Sequence, residues 1–305
     1  MQYTLSQAAS LVGTGLHSGR PARITLRPAA EGGIRFHRTD VSDRDPVIPA
    51  RFDHVVDTTL CTVIGNADGV TVATVEHVMA ALAGLGVHHA VVEIDGPEVP
   101  IMDGSSRRFV AAIMGAGLRP VATSIEVIRI LAPIRVEEGE ASAELRPADR
   151  FEIAFTIDFA EAAIGRQEKA LDLANGTFLH ELADCRTFCR LGDVEMMQAR
   201  GLALGGSLEN AIVVDGAIVL NPGGLRRSDE FVRHKMLDAV GDLALAGAPI
   251  LGAYHGERAG HGVTNRLLRK LFATEGAWER VTLDAAGSEV LPGVGVELAA
   301  LRRAG

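Results

Sequence analysis

One segment of the chain spaces a histidine and two aspartates at regular intervals. Residues 229–243, DEFVRHKMLDAVGDL, contain no proline and predict a helix. His234, Asp238 and Asp242 follow one another at intervals of four residues, so a helix would project them from one face. An imidazole and a carboxylate in this arrangement can bind one metal ion between them. The alternative interpretation is the solvent-exposed face of an amphipathic helix whose opposite face is apolar.

A second predicted helix offers a third ligand. Residues 74–86, TVEHVMAALAGLG, are mostly apolar after their start, where Thr74 is a candidate N-cap and Glu76 lies in the first turn. Glu76 and its neighbour His77 would need polar partners if they were buried. A metal bound by His77, with Glu76 beside it to hold a water molecule, would satisfy both side chains. A capping glutamate and a structural histidine are the alternative, and the segment lacks the H-E-x-x-H pattern that puts two ligands on one helix.

A third candidate is His261, which lies between Gly260 and Gly262. Flanking glycines let the backbone approach a ligand closely and leave the imidazole accessible, although an ordinary loop histidine would have the same pattern. Cys185 and Cys189 have a metal-like spacing, but the chain has no second cysteine pair to complete a structural thiolate zinc site.

The composition excludes several classes of function. With 305 residues, of which 47% are hydrophobic, the chain can bury a large core. Its net charge of -9 argues against binding to nucleic acid, although anionic small molecules remain possible ligands. No apolar run reaches the roughly 18 residues of a transmembrane helix, and the N-terminus has no signal-peptide pattern. The three cysteines suit a reducing compartment, so the sequence predicts a soluble cytoplasmic protein.

The order of the predicted elements indicates two domains. In each half, short strands precede helices, which favours an α+β fold over a doubly wound parallel sheet. Pro120 interrupts the chain at the expected boundary, so we expect an N-terminal domain of residues 1–122 and a C-terminal domain of residues 123–305. Residues 190–221 have the pattern of an insertion in the second domain, with a helical piece at 194–200 and two valine-rich strands.

Taken together, eight segments resemble one family. They are GLHSG, TTLCT, TVEHVMAALAGLGV, PEVPIMDGS, RTF, LGGS, DEFVRHKMLDAVGDL and GHGVTN, in the order seen in the UDP-3-O-acyl-N-acetylglucosamine deacetylases. The resemblance runs from about residue 4 to residue 268. It implies hydrolysis of the acetamide of UDP-3-O-acyl-N-acetylglucosamine to UDP-3-O-acyl-glucosamine and acetate, the committed step of lipid A biosynthesis in Gram-negative bacteria. It also implies two similarly built α+β domains, each with a small insertion, and an active site between them.

The same resemblance implies a metal site and an acid–base pair. His77, His234 and Asp238 match the three protein ligands of a catalytic Zn²⁺, which leave one coordination position for water. Fe²⁺ could replace Zn²⁺ in the cell, because the same nitrogen and oxygen ligands suit both metals. Glu76 resembles the general base of the family, and His261 resembles its general acid.

Three further residues match positions around the reacting group. Asp242 resembles the carboxylate that orients His261 and favours its protonated form. Thr187 matches the threonine that stabilises the oxyanion. Lys235 matches a lysine of the catalytic group that lies beside the phosphate end of the substrate.

The resemblance also implies substrate contacts and a monomer. The matching residues are Leu16, Cys61, Asp158, Phe159, Phe188, Gly206, Ser207 and Arg258. Among them, Asp158 and Phe159 would meet the uracil base and Arg258 the diphosphate, while residues 190–221 would form an apolar passage for the fatty acyl chain. Two departures leave the metal chemistry untouched: Ala141 stands where some members have a lysine that reaches the nucleotide, and Cys189 where glycine is more familiar.

Two other functions compete with this interpretation. The first is a zinc hydrolase of another amide substrate, such as a peptidase, which would not need Phe159 together with the basic pair Lys235 and Arg258. The second is a non-catalytic protein that binds nucleotide sugars, which would have no reason to keep Glu76 and His261 beside a full set of ligands.

Overall fold

The computed structural model of the protein describes residues 1–284, 287–293 and 296. These residues form several β-sheets and a smaller number of helices, and this confirms the predicted α+β class. Within these ranges, none of the helices has both the length and the apolar character needed to cross a bilayer.

The first half of the chain is built around a five-stranded sheet. The elements of this half of the chain are β1 (Tyr3–Leu5), β2 (Ala9–Thr14), β3 (Pro21–Pro28), β4 (Ile34–Arg38), β5 (Val47–Pro49), β6 (Val55–Asp57), β7 (Val63–Gly65), β8 (Thr71–Val72), α1 (Glu76–Gly84), β9 (Ala90–Ile94), α2 (Arg107–Ala116) and β10 (Leu118–Pro120). The sheet has the order β2-β3-β9-β4-β5, in which only β4 and β9 are parallel. β6, β7 and β8 form a small separate sheet, and β1 pairs with β10.

The second half is built around a seven-stranded sheet. The elements of this half of the chain are β11 (Ile125–Ile130), β12 (Ile134–Glu138), β13 (Ala141–Arg146), β14 (Phe151–Asp158), β15 (Arg166–Asp172), β16 (Phe188–Arg190), α3 (Leu191–Ala199), β17 (Ile212–Asp215), β18 (Ile218–Val219), α4 (Glu230–Ala244), β19 (Ile250–Glu257), α5 (His261–Ala273) and β20 (Trp278–Leu283). The main path is β12-β13-β19-β11-β20, and β14 pairs with the later part of β19 and carries β15 at its outer edge.

A small sheet and a helix interrupt this second half where the sequence predicts an insertion. β16 and β17 are parallel, β18 returns antiparallel to β17, and α3 lies in the connection from β16 to β17. The predicted helical piece and the two valine-rich strands are therefore confirmed, with the helix beginning earlier than expected, at Leu191.

The helices α1 and α4 pack against each other and share one hydrophobic core with both large sheets. Gly241 allows their close approach, because a Cβ atom there would lie 2.0 Å from the backbone oxygen of Glu76. From Glu230 to Leu243, every residue of α4 except Lys235 is buried. The interpretation of α4 as an amphipathic surface helix is therefore wrong, since α1, α5, β14 and β15 surround it.

Two local predictions are also wrong. α1 begins at Glu76 rather than at Thr74, and no side chain caps it. Thr74 has a φ of 59° and its hydroxyl donates to Oε1 of Glu98 at 3.3 Å, so it belongs to the turn that leads into the helix. His261 is not a loop residue, because it is the first residue of α5.

Candidate active site

Two histidines and one aspartate meet where α1 packs against α4. One ligand atom from each of His77, His234 and Asp238 lies within 4.8 Å of the other two. Nε2 of His77 is 3.5 Å, and Nε2 of His234 is 3.2 Å, from Oδ1 of Asp238. All three residues are buried, and within the described residues this oxygen accepts no hydrogen bond. Because a buried carboxylate oxygen needs a partner, the arrangement fits a cation held between the three side chains.

The contacts of the two histidines suit them to bind a metal. Nδ1 of His234 lies 3.0 Å from the backbone oxygen of Cys185, and a carbonyl only accepts, so Nδ1 carries a hydrogen and Nε2 is the nitrogen available to a metal. Burial lowers the pKa of His77, which keeps that imidazole neutral. The hydroxyl of Ser106 donates to the backbone oxygen of His77 at 2.7 Å and fixes the start of α1. Two neutral imidazoles and one carboxylate form a donor set for Zn²⁺ or Fe²⁺.

A glutamate, a histidine and an aspartate form a second group beside this cluster. Nδ1 of His261 donates to Oδ2 of Asp242 at 2.8 Å, and Nε2 of His261 lies 3.9 Å from Oε1 of Glu76. Burial opposes protonation of His261, but the Asp242 carboxylate outweighs it and raises the pKa of His261 to about 9. Burial raises the pKa of Glu76 to about 7. The group therefore contains a proton acceptor and a proton donor at neutral pH.

Thr62 connects the two carboxylates of this group, although its sequence pattern does not predict a place in the site. Its backbone N–H donates to Oε2 of Glu76 at 3.1 Å, and its hydroxyl donates to Oδ1 of Asp242 at 2.5 Å. Thr62 is only 1% exposed. The one indication in the sequence that Thr62 belongs to the site is its position next to Cys61 in the segment TTLCT. No helical or strand periodicity relates residue 62 to residue 242.

A small cavity of about 40 Å³ adjoins both groups. The cavity is lined by Leu16, Cys61 and Thr187, which were expected to contact the substrate or the oxyanion. The side chains of both groups also line it, namely His77, His234 and Asp238 of the first group and Glu76 and His261 of the second. The backbone N–H of Thr187 donates to the backbone oxygen of Gly104 at 2.8 Å, so the first half of the chain holds this residue in place. His17 and other residues not assigned to the site also line the cavity.

Between Glu230 and Leu243, Lys235 is the one residue of α4 that is not buried, and its ammonium pairs with Asp238. Its Nζ lies 2.9 Å from Oδ2 of Asp238, opposite the oxygen that faces the imidazoles. Burial opposes the charge of Lys235, but Asp238 outweighs it and raises the pKa of the ammonium. Lys235 therefore keeps a positive charge at the edge of the cluster.

The aromatic residues assigned to the substrate reach the metal-type cluster through Phe188. The ring of Phe188 lies 5.5 Å from that of Phe159 and 6.3 Å from that of His234, edge to face in both cases. A Cβ atom at Gly206 would lie 3.7 Å from Cδ1 of Leu16, so this glycine borders a residue of the cavity wall.

The remaining assigned substrate contacts lie outside the cavity. Arg258 pairs with Asp158 at 2.5 Å and with Glu140 at 2.6 Å. Ser207 accepts a hydrogen bond from the backbone N–H of Glu209 at 3.2 Å. None of Asp158, Arg258 and Ser207 lines the 40 Å³ cavity.

A larger cavity of about 510 Å³ lies at the C-terminal ends of α1 and α4. Its walls include Leu82, His88 and Leu243, and no residue that the sequence analysis assigned to the site. Among the described residues, the chemistry-bearing side chains therefore converge on the smaller cavity.

A buried cluster of two histidines and one carboxylate, with an acid and a base beside it, is typical of metal-dependent hydrolases. A family model described as UDP-3-O-acyl N-acetylglycosamine deacetylase matches residues 2–273. The chain belongs to this family.

Several curated relatives support the assignment. A UDP-3-O-acyl-N-acetylglucosamine deacetylase of Phenylobacterium zucineum (strain HLK1) is 53% identical over 278 residues, covering 91% of this chain and 95% of the relative. Proteins of the same name from Myxococcus xanthus (strain DK1622) and Idiomarina loihiensis (strain ATCC BAA-735 / DSM 15497 / L2-TR) are 50% and 48% identical. Those matches cover 92% and 93% of this chain, and 89% and 93% of the two relatives.

Proposed function

We propose that this chain hydrolyses the acetamide of UDP-3-O-acyl-N-acetylglucosamine, releasing acetate and UDP-3-O-acyl-glucosamine in the committed step of lipid A biosynthesis. The observation that carries the proposal is the buried cluster of His77, His234 and Asp238 beside Glu76 and His261. Amide hydrolysis needs activation of the carbonyl, a base for the water and an acid for the leaving amine. His77, His234 and Asp238 would hold a metal that activates the carbonyl, and Glu76 and His261 are suited to act as the base and the acid.

The proposed cofactor is one catalytic Zn²⁺, for which Fe²⁺ could substitute in the cell. His77, His234 and Asp238 would hold it, and the unpaired Oδ1 of Asp238 with the two Nε2 atoms that face it supports this assignment. When bound, a divalent metal supplies Lewis acidity toward the amide carbonyl and lowers the pKa of a coordinated water. Three protein ligands leave a position for water or substrate, as a catalytic site requires.

Glu76 is the proposed general base and His261 the proposed general acid. With a pKa of about 7, Glu76 is ionised in a substantial fraction of molecules at neutral pH and can accept the proton of the attacking water. With a pKa of about 9, His261 is protonated at the same pH. Since Asp242 holds Nδ1 of His261, Nε2 is the nitrogen that would donate to the leaving amine, which departs poorly unless it is protonated.

Thr187 and Lys235 are proposed to stabilise negative charge. The position of Thr187 in the cavity wall supports donation from its hydroxyl to the oxyanion that forms when water attacks the amide. The ammonium of Lys235 adds positive charge at the edge of the cluster, next to Asp238. We propose that the phosphate end of the substrate lies beside it.

The proposed nucleotide site leads away from the cluster along the aromatic residues. Phe188 contacts both Phe159 and His234, which supports a path from the uracil end of the substrate to the reacting amide. Asp158 would meet the uracil and Arg258 the diphosphate. The apolar passage for the acyl chain is proposed to lie in residues 190–221, beside Leu16 and Gly206.

Acetate release from UDP-3-O-acyl-N-acetylglucosamine tests the proposed function. We expect turnover by the purified protein, loss of turnover and of bound metal after treatment with a chelator, and recovery of both when Zn²⁺ is added. Cleavage of peptide substrates without cleavage of the UDP-sugar would instead identify a different zinc hydrolase. Binding of the UDP-sugar without acetate release, in a metal-loaded protein, would identify a non-catalytic binding protein.

The proposed organisation is a cytoplasmic monomer of two domains, residues 1–122 and 123–305. The pairing of β1 with β10 supports the boundary, because it closes the first half on itself just before residue 121. The cysteines Cys61, Cys185 and Cys189 are unpaired, which supports a reducing compartment. Light scattering in solution and cell fractionation test the oligomeric state and the location.

A further inference from the structure

We infer that Thr62 is a positioning residue that sets the arrangement of the general base and of the carboxylate that orients the general acid. The inference rests on the proposed function, because it concerns the roles of Glu76, His261 and Asp242. It assigns a task in catalysis to a side chain that is not itself expected to contact the substrate.

The geometry closes a ring of four residues. Thr62 donates to Oε2 of Glu76 through its backbone N–H and to Oδ1 of Asp242 through its hydroxyl, at 3.1 and 2.5 Å. The other oxygen of each carboxylate faces His261, at 3.9 Å for Oε1 of Glu76 and 2.8 Å for Oδ2 of Asp242. Each carboxylate is therefore held on one side by Thr62 and turned toward the imidazole on the other.

The direction of the hydroxyl hydrogen bond is fixed by the chemistry of its partner. An ionised carboxylate only accepts, so the single hydrogen of the Thr62 hydroxyl points at Oδ1 of Asp242. Asp242 is 4% exposed, so removing the hydroxyl would leave this oxygen buried and without its donor. Asp242 would then be free to turn, and Oδ2 would lose its alignment with Nδ1 of His261.

The backbone and the side chain of Thr62 have separable tasks. The backbone oxygen of Thr62 accepts from the N–H of Val75 at 3.3 Å, and its N–H donates to Glu76, so the main chain fixes the start of α1. A substitution of the side chain keeps both backbone contacts and removes only the contact with Asp242. The side chain can therefore be tested without dismantling the helix that carries His77.

The experiment compares Thr62→Val, which has nearly the shape of threonine but no hydroxyl, with Thr62→Ser, which keeps the hydroxyl. Steady-state kinetics with UDP-3-O-acyl-N-acetylglucosamine and bound metal are measured for each. We expect Thr62→Val to lower kcat roughly 10- to 100-fold, with KM and metal content close to wild type, because the loss of one charged hydrogen bond misaligns the acid rather than the binding site. Thr62→Ser should keep kcat within about threefold of wild type.

A matched control is Thr4→Val. Thr4 is fully buried like Thr62, and its hydroxyl makes two hydrogen bonds, to the backbone oxygen of His89 at 2.7 Å and from the N–H of Ala29 at 2.9 Å. The control should lower the melting temperature and leave kcat unchanged. Equal loss of kcat in Thr4→Val and Thr62→Val would show a general effect of a missing buried hydroxyl and would overturn the inference.

A double-mutant cycle with Asp242→Asn identifies the path of the effect. If Thr62 acts through Asp242, then Thr62→Val should lower kcat much less in the Asp242→Asn background than in wild type. Wild-type kcat in Thr62→Val, or full additivity in the cycle, overturns the inference. If Thr62→Val does not fold, Thr62→Ala takes its place, and a wild-type kcat there overturns the inference equally. Failure of the proposed function is distinct, because it would appear as absence of acetate release by the wild-type protein.

Discussion

Replacing Asp242 with asparagine should displace the basic limb of the pH–rate profile. The Asp242 carboxylate is the main reason that the pKa of His261 rises from the ordinary 6.5 to about 9. The rise favours the protonated imidazole by about 3 kcal/mol, at roughly 1.4 kcal/mol per pH unit. Burial works against the protonated form, so without the carboxylate the pKa of His261 should fall to about 6.5 or below.

The sign of the effect follows from the proposed role of His261 as the general acid. His261 must be protonated to serve the leaving amine, so kcat/KM falls as pH rises through the pKa of His261. In Asp242→Asn this fall should begin about two pH units lower, and kcat/KM at pH 8 should be at least about tenfold below that of wild type at the same pH. A bound metal cation would affect the pKa of His261 in wild type and in Asp242→Asn alike. The quantity to compare is therefore the displacement of the basic limb between the two enzymes.

The assay is acetate release across pH 5 to 10 by wild type, by Asp242→Asn and by Asp149→Asn. Asp149 is exposed between β13 and β14, so its replacement makes the same change of net charge away from the site. The control should keep the wild-type profile. A basic limb that stays in place in Asp242→Asn, at a measurable rate, would refute the assignment of His261 as the acid that Asp242 orients.

Three further outcomes test other parts of the site. His234→Ala should lose the metal and the activity together, because the two remaining ligands would hold a divalent ion weakly, whereas Cys185→Ser should retain the metal. Elemental analysis measures the metal content of both variants, and full metal content in His234→Ala would contradict the ligand set. Glu76→Ala should keep the metal, since Glu76 is not a ligand, yet lose about 10²-fold or more in kcat, and an active variant would remove Glu76 as the base. A UDP-sugar without the acyl group should have a much lower kcat/KM than the natural substrate, because burial contributes about 0.8 kcal/mol per CH₂, and equal values would argue against an apolar passage.

The sequence predicted the parts of the fold that depend on local pattern. The helix α4 follows from a proline-free segment, and the i, i+4 spacing of His234 and Asp238 places both on one side of it. A helix and two valine-rich strands were also predicted within residues 190–221, where the structure has α3, β17 and β18. The α+β class follows from the order of strands and helices in each half.

Other features depend on contacts that no local pattern records. The interpretation of α4 as a surface helix failed because its polar face is covered by elements from both halves rather than by water. The start of α5 at His261 was missed because glycines flank the residue and favour a loop. The contact between Thr62 and Asp242 joins residues 180 positions apart, and only the packing of the two halves brings them together.

The close contact of α1 and α4 at Gly241 has a consequence for how the activity arises during synthesis. His77 and Glu76 emerge from the ribosome with the first half, but a single imidazole does not hold a catalytic metal. His234, Asp238 and Asp242 follow much later, and His261 after them. Neither half contains all of the proposed catalytic residues, so we expect the nascent chain to be inert toward its substrate until α4 and His261 have been made and α4 has packed against α1. Assembly of the enzyme and completion of its fold are then the same event.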